Sequence, residues 1–332
     1  MLVPVRSGRK RYRYRHRRLV PVLLVVSVAA LAGAWVGAQR PSPHAAATPD
    51  PPVVHHPAAT VPHPAPKATT VVPLAPEHLL SGDDLVRHTF APTLSAASAI
   101  VVDAGTGRVV WARNAHQRLR VASLTKIMTA LLALQKLGPN DVVTVDKSVP
   151  RVPLVREGLR AGEKVKAWKL FYSLLLYSGN DDALALAIAA GGDKWTFVRK
   201  MNDEARRLGL RDTHFISPSG VVDRDNYSSA WDMAALSRVA LRDERFDRIV
   251  RTKEIHVPWS APTYSKIYIN NNLMLRSYPG ANGIKAGYTH ESGDCLAVSA
   301  TRHGRTLIVV VLNAPNMYVD ATRLLNLGFA SP

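Results

Sequence analysis

Residues 120–130 read Arg-Val-Ala-Ser-Leu-Thr-Lys-Ile-Met-Thr-Ala, and the apolar character continues to Leu137 before Gly138 and Pro139. A stretch apolar on nearly every face predicts a buried central helix over Ala122–Leu137. Glycine and proline end it. Ser123-Leu-Thr-Lys126 opens that helix. Residues three apart share a helix face, with Cβ atoms ~5–6 Å apart. A lysine so placed reaches the serine hydroxyl and takes its proton when burial and nearby positive charge lower its pKa. The partial positive charge of a helix N-terminus favours an anion developing at Ser123. Taken alone, the pair is equally a cap serine and a solvated lysine. Ser7 and Lys10 repeat the spacing in the N-terminal tail.

Upstream of the helix, Ala99–Asp103 and Arg108–Trp111 flank Gly105-Thr-Gly107, a hairpin pattern. Downstream, Trp168–Tyr177 and Ala183–Ala190 predict two helices. Lys194–Leu208 is amphipathic, with Trp195, Val198, Met201, Ala205 and Leu208 on one side. Trp111, Trp168, Trp195 and Trp231 are expected in the core. Ser229 and Asp232 resemble a capping box for a helix reaching Leu241. Gly283–Thr289, Cys295–Thr301 and Thr306–Leu312 predict strands, and Tyr318–Leu327 a last helix. Strands, then helices, then strands and a helix predict an α/β (α+β) fold with one sheet built from both chain ends and a helical insert.

Two further motifs lie on these elements. Ser178-Gly179-Asn180 falls between two apolar helices, where Asn180 or Asp181 could simply cap the next one. Lys285-Ala286-Gly287 falls on a predicted strand. There it is either an edge lysine or a cation for a carboxylate beside a glycine that lets a substrate lie along the strand. Asp181 and Asp182 read as structural acids at a helix start.

The chain has 332 residues and a net charge of +18. Eight basic residues without an acid occupy residues 1–18, and residues 82–332 carry +10. Leu19–Ala38 is a twenty-residue run without charge, about enough helix to cross a ~30 Å hydrocarbon core. The basic block before it places the N-terminus in the cytoplasm and the rest outside. The segment is long for a signal peptide, which favours an uncleaved transmembrane anchor over cleavage after Ala38. Residues 39–81 are rich in proline and alanine, a semi-rigid linker. Its His44, His55, His56 and His63 lack anything to fix a metal geometry. Residues 82–332 carry the globular pattern. A single cysteine, Cys295, excludes an intrachain disulfide and any zinc site with two cysteine ligands. The export signal argues against a nucleic-acid partner.

Ser-x-x-Lys, Ser-x-Asn and Lys-x-Gly thus occur in that order in an exported chain. The sequence resembles the penicillin-binding D-alanyl-D-alanine carboxypeptidases, relatives of the serine β-lactamases. The similarity extends to Ile100–Gly107, Arg120–Ala130, Tyr177–Ala183, Met201–Leu210, Asn282–Thr289 and Leu324–Phe329, covering roughly residues 90–330. It implies a β-lactamase/transpeptidase-like fold, mainly an antiparallel sheet flanked by helices plus a helical subdomain. It implies that Ser123 attacks the bond between two terminal D-alanines of a peptidoglycan stem peptide, with Lys126 as general base. Ser178 would carry the proton to the leaving nitrogen, Asn180 would hold the substrate amide, and Lys285 and Gly287 would face its carboxylate end. Backbone N–H groups of Ser123 and Tyr288 would form the oxyanion hole. β-Lactams would acylate Ser123, and no metal or organic cofactor is implied.

One position departs from the family pattern. Ala286 stands where Thr or Ser is usual, removing a hydroxyl that binds the substrate carboxylate. Thr289 is the candidate to replace it. A D,D-endopeptidase and an impaired wall-binding pseudoenzyme stay open as alternatives. A β-lactamase is disfavoured because no Glu-x-x-Leu-Asn pattern follows the second motif.

Overall fold

The computed structural model describes residues 79–82, 92–221, 224–259 and 265–331. The expected membrane span at 19–38 and the four linker histidines lie outside these residues. Among the described residues no helix is long and apolar enough to cross a membrane.

A hairpin opens the domain, β1 (Ser98–Asp103) and β2 (Val109–Arg113). A 3-10 turn (Ala122–Thr125) leads into α1 (Lys126–Leu134). The expected helix is therefore shorter than its apolar run. Ala122 has φ +47°, outside the helical range, so Ser123 sits in the tight turn and the α-helix begins at Lys126. A small ribbon pairs β3 (Val142–Thr144) with β4 (Lys164–Lys166). Next come α2 (Ala167–Tyr172), a π-helical turn (Ser173–Tyr177), α3 (Asn180–Gly191), α4 (Lys194–Arg207), α5 (Ala230–Ala240) and α6 (Glu244–Val250). A second ribbon pairs β5 (Glu254–Val257) with β6 (Lys266–Ile269). After α7 (Met274–Ser277) the chain returns as β7 (Ala281–Thr289), β8 (Gly293–Arg302) and β9 (Arg305–Leu312), and closes with α8 (Met317–Ala330).

The five-stranded sheet has the order β2-β1-β9-β8-β7 and is antiparallel throughout. Consecutive strands joined by tight turns can pair only that way. The β1–β9 pairing then unites the two chain ends. Strand alternation divides the core. Ile100, Val102, Ile308 and Val310 face the helical layer, whereas Ala99, Val101, Val309 and Val311 pack on the α8 side with Leu324 and Leu325.

Side-chain staples close this frame. Asp320 on α8 accepts from Ser95 N, Ser95 Oγ and Ala96 N. Arg238 on α5 donates to the carbonyls of Leu79, Ala104 and Gly105. Leu79 and Leu80 are buried, so packing begins ahead of the linker boundary expected at residue 81. Ser229 caps α5 by accepting from Asp232 N, as its sequence predicts. Trp195 is 60% exposed, against expectation. The inward face of α4 is filled by Phe197, Val198, Met201 and Ala205, and Trp195 projects beyond it under Lys194. Cys295 is a core thiol whose pKa burial pushes up to about 11.

Candidate active site

Ser123, Lys126 and Asn180 come together at the junction of the 3-10 turn, α1 and the start of α3, and Ser178 stands two residues before Asn180. Lys126 Nζ lies 2.8 Å from Ser123 Oγ, 2.8 Å from Asn180 Oδ1 and 3.2 Å from the Ser219 carbonyl oxygen. The lysine is fully buried. Burial, and then the charge of Lys285, hold its pKa well below the usual lysine range, against the pull of Asp182 and Asp181. An uncharged amine has two N–H donors and one lone pair. The two N–H groups match the Asn180 and Ser219 oxygens, which leaves the lone pair for the Ser123 hydroxyl. This is the arrangement of a base set against a nucleophile.

Asn180 is held at both ends of its amide. Its Nδ2 donates to the Pro153 carbonyl and its backbone N to the Val155 carbonyl. Asp181 fixes the same loop by accepting from the backbone N–H groups of Glu157, Gly158 and Leu159. Asn180 Oδ1 thus orients Lys126, a task that precedes any contact with substrate.

Ser178 ends the π-helical turn with φ +78°. A left-handed serine costs of order 1–3 kcal/mol and persists where its surroundings impose it. Its N–H donates to the Ser173 carbonyl at 2.8 Å. Its buried Oγ has no hydrogen-bond partner among the described residues. π-Turns of this kind often mark functional positions.

Strand β7 supplies the third side. Gly287 lies so close to the nucleophile turn that a Cβ there would stand 2.8 Å from Ser123 N and 3.2 Å from Ala122 Cβ. Lys285, on the same strand face, is buried and donates to the Ala286 carbonyl at 2.9 Å. Burial lowers its pKa to about 7, so its charge changes around neutrality. Ala286 points to the opposite face, nearly buried, and Tyr288 beyond it is 62% exposed. Thr289, the candidate for the missing hydroxyl, is engaged within its own turn. Its Oγ1 bonds Ser292 Oγ and accepts from Ser292 N, which commits it to the β7–β8 turn.

The sequence reading missed the floor of the site. Pro218 accepts from Thr129 Oγ1, and Ser219 accepts from Lys126. Gly220, at φ +72°, fits because a Cβ would meet the Ala122 carbonyl oxygen at 2.1 Å. Ser-Pro-Ser-Gly at 217–220 is a turn signal, but nothing in the sequence ties it to Lys126. Among the described residues no three His, Cys, Asp or Glu side chains cluster as a metal ion would need.

A buried amine against a serine, an unpaired second hydroxyl and a lysine-bearing strand define a serine acyl-transfer centre. Comparisons with known proteins agree. The family described as D-alanyl-D-alanine carboxypeptidase (peptidase S11) matches residues 86–316. D-alanyl-D-alanine carboxypeptidase DacF of Bacillus subtilis is 33% identical over 244 residues, 71% of this chain and 62% of its own length. The D-alanyl-D-alanine carboxypeptidase of Streptomyces sp. strain K15 is 34% identical over 262 residues, 72% of this chain and 89% of its own. The crystal structure of the Streptomyces K15 DD-transpeptidase superposes with a TM-score of 0.69 at 33% identity, covering 73% of this chain and all of that one. The chain belongs to the D-alanyl-D-alanine carboxypeptidase family of serine peptidases, with the DD-transpeptidase fold.

Proposed function

We propose that this enzyme removes the terminal D-alanine from peptidoglycan stem peptides through an acyl-enzyme on Ser123. The observation that carries this reading is the buried Lys126 amine, 2.8 Å from both Ser123 Oγ and Asn180 Oδ1. Ser123 Oγ forms a bond to the carbonyl carbon as its proton passes to Lys126. The C–N bond then breaks, and the proton reaches the leaving D-alanine nitrogen by way of Ser178 Oγ. Water hydrolyses the ester and restores Ser123. The backbone N–H groups of Ser123 and Tyr288 stabilise the oxyanion, worth about 3–4 kcal/mol per donor. Lys285, in its charged form, attracts the substrate carboxylate. Penicillin, which resembles the D-Ala-D-Ala end, acylates the same serine. The position of Lys126 Nζ, 2.8 Å from both Ser123 Oγ and Asn180 Oδ1, favours an active enzyme over the impaired pseudoenzyme.

In the same reading residues 19–38 anchor the chain in the membrane and the catalytic domain works outside the cytoplasm. The uncharged run and its basic flank support this. The functional test is release of D-alanine from a D-Ala-D-Ala-ended peptide by the full-length protein in detergent. Turnover lost in Ser123→Ala supports the reading, and equal turnover in that variant contradicts it.

A further inference from the structure

Behind the Ser178–Asn180 turn lies a buried acid network that the acyl transfer does not use. Ser173 Oγ is 2.5 Å from Asp182 Oδ2 and 2.9 Å from Glu157 Oε2. Both carboxyls are buried. A hydroxyl has one proton to donate, so it satisfies only one of these acceptors. At the other contact the carboxyl must be the donor, and one of the two acids therefore carries a proton.

The surroundings say which. Glu157 has a counter-ion, because its Oε1 forms an ion pair with Lys266 Nζ. Asp182 has no ion-pair partner among the described residues, and its Oδ1 has no hydrogen bond there. An ionised carboxylate left that way in the interior is costly. One proton order satisfies the contacts: Asp182 Oδ2–H to Ser173 Oγ and Ser173 Oγ–H to Glu157 Oε2, with Glu157 ionised beside Lys266 Nζ. The direction of the Asp182 pKa agrees. Burial, then the charges of Asp181 and Glu157, raise it well above the carboxylate range, against the Ser173 bond and Lys266.

This carboxyl touches the second motif. A Cβ on Gly179, between Ser178 and Asn180, would lie 1.9 Å from Asp182 Oδ2. The network also reaches the rim of the site, since Tyr268 on β6, whose hydroxyl bonds the Glu157 side chain, stacks on Tyr177, the residue before Ser178. We propose that Asp182 is a positioning residue that acts as a neutral acid, holding the Ser178–Asn180 turn on Ser173 and keeping a negative charge away from Lys126. The role toward Lys126 rests on the reading of that lysine as the base.

The groups facing Asp182 are Asp181 on its own helix, Glu157 on the preceding loop, Lys266 and Tyr268 on β6, and Lys126 on α1. As pH rises and Asp182 ionises, its charge favours protonated Lys126 and withdraws the base. Acylation then falls on the alkaline side. Stability has the same sign. A carboxyl with a raised folded pKa contributes fully below its unfolded pKa, and that contribution is lost as pH rises toward the folded value.

Asp182→Asn tests this, because its amide N–H can donate to Ser173 at every pH. Acylation by fluorescent penicillin at neutral pH should stay within about threefold of wild type, one neutral hydrogen bond replacing another. The alkaline limb should move up by about one pH unit or more. The melting temperature of the variant should gain on wild type as pH rises above the ordinary aspartate range. Infrared difference spectra at neutral pH should show a protonated-carboxyl stretch in wild type that is absent from Asp182→Asn. Ser173→Ala should shift that band to higher frequency, as the carboxyl loses its acceptor, which serves if Asp182→Asn does not fold. No such band, or pH profiles and melting differences that run parallel in the two proteins, would overturn the proposal. If Ser123 is never acylated, the functional reading and the role toward Lys126 fail together, while the infrared band still decides where the proton sits.

Discussion

Lys126→Met slows acylation of Ser123 by penicillin about a hundredfold to ten-thousandfold, the range a positioned general base contributes. Methionine is unbranched and apolar, so it can fill the buried channel of the lysine stem without bringing charge. It leaves the Asn180 and Ser219 oxygens without the amine they accept from in the wild type. Each orphaned acceptor costs about 1–3 kcal/mol, partly offset because the buried amine no longer needs to be desolvated. Folding should therefore survive while chemistry does not. Lys126→Arg separates the proton role from the charge role. A guanidinium remains protonated in proteins, so this variant sets a fixed positive charge beside Ser123 with no lone pair to take its proton, and it should be as inactive as the methionine variant. Stopped-flow labelling with a fluorescent penicillin, alongside a thermal melt, reads both effects.

Gly287→Val should be nearly as damaging, for a steric reason. The added Cβ would lie 2.8 Å from Ser123 N and 3.3 Å from Ser123 Cα. These are backbone atoms that cannot rotate away. Either β7 moves outward or the 3-10 turn gives way, and both disturb Ser123 N, one of the two donors proposed for the oxyanion. Loss of one such donor costs about a hundredfold to a thousandfold in rate. Overpacking itself costs about 1–3 kcal/mol, so a lower melting temperature should accompany slower labelling. Gly287→Ala should fall between wild type and valine in both measurements.

Much of this arrangement could be read from local spacing. Ser123 and Lys126 stand three residues apart at the head of an apolar run, and Ser178 and Asn180 at a break between two others. The strands of the main sheet carry near-continuous runs such as Leu307–Leu312, whose burial on both faces makes them conspicuous. The parts missed depend on contacts through space. The Ser219 carbonyl meets Lys126 across 93 residues of sequence, and a backbone oxygen leaves no mark in a sequence. The ribbons β3–β4 and β5–β6 are three and four residues per strand, with only alternate side chains buried, too short for a periodicity signal. Asp182 was read from its place at a helix start, where acids are ordinarily ionised. Its meaning changed only when the fold set Ser173 and Glu157 against it. Thr289 is the reverse case: near the missing hydroxyl in sequence, it is bound to its own turn in space.

The account rests on Ser123 being a nucleophile that Lys126 activates, and intact-protein mass spectrometry after exposure to penicillin tests that most directly. The wild type should gain the mass of one penicillin, with the adduct on the peptide that contains Ser123, and Ser123→Ala should gain nothing. A wild type that remains unmodified, or an adduct that persists in Ser123→Ala, would contradict it.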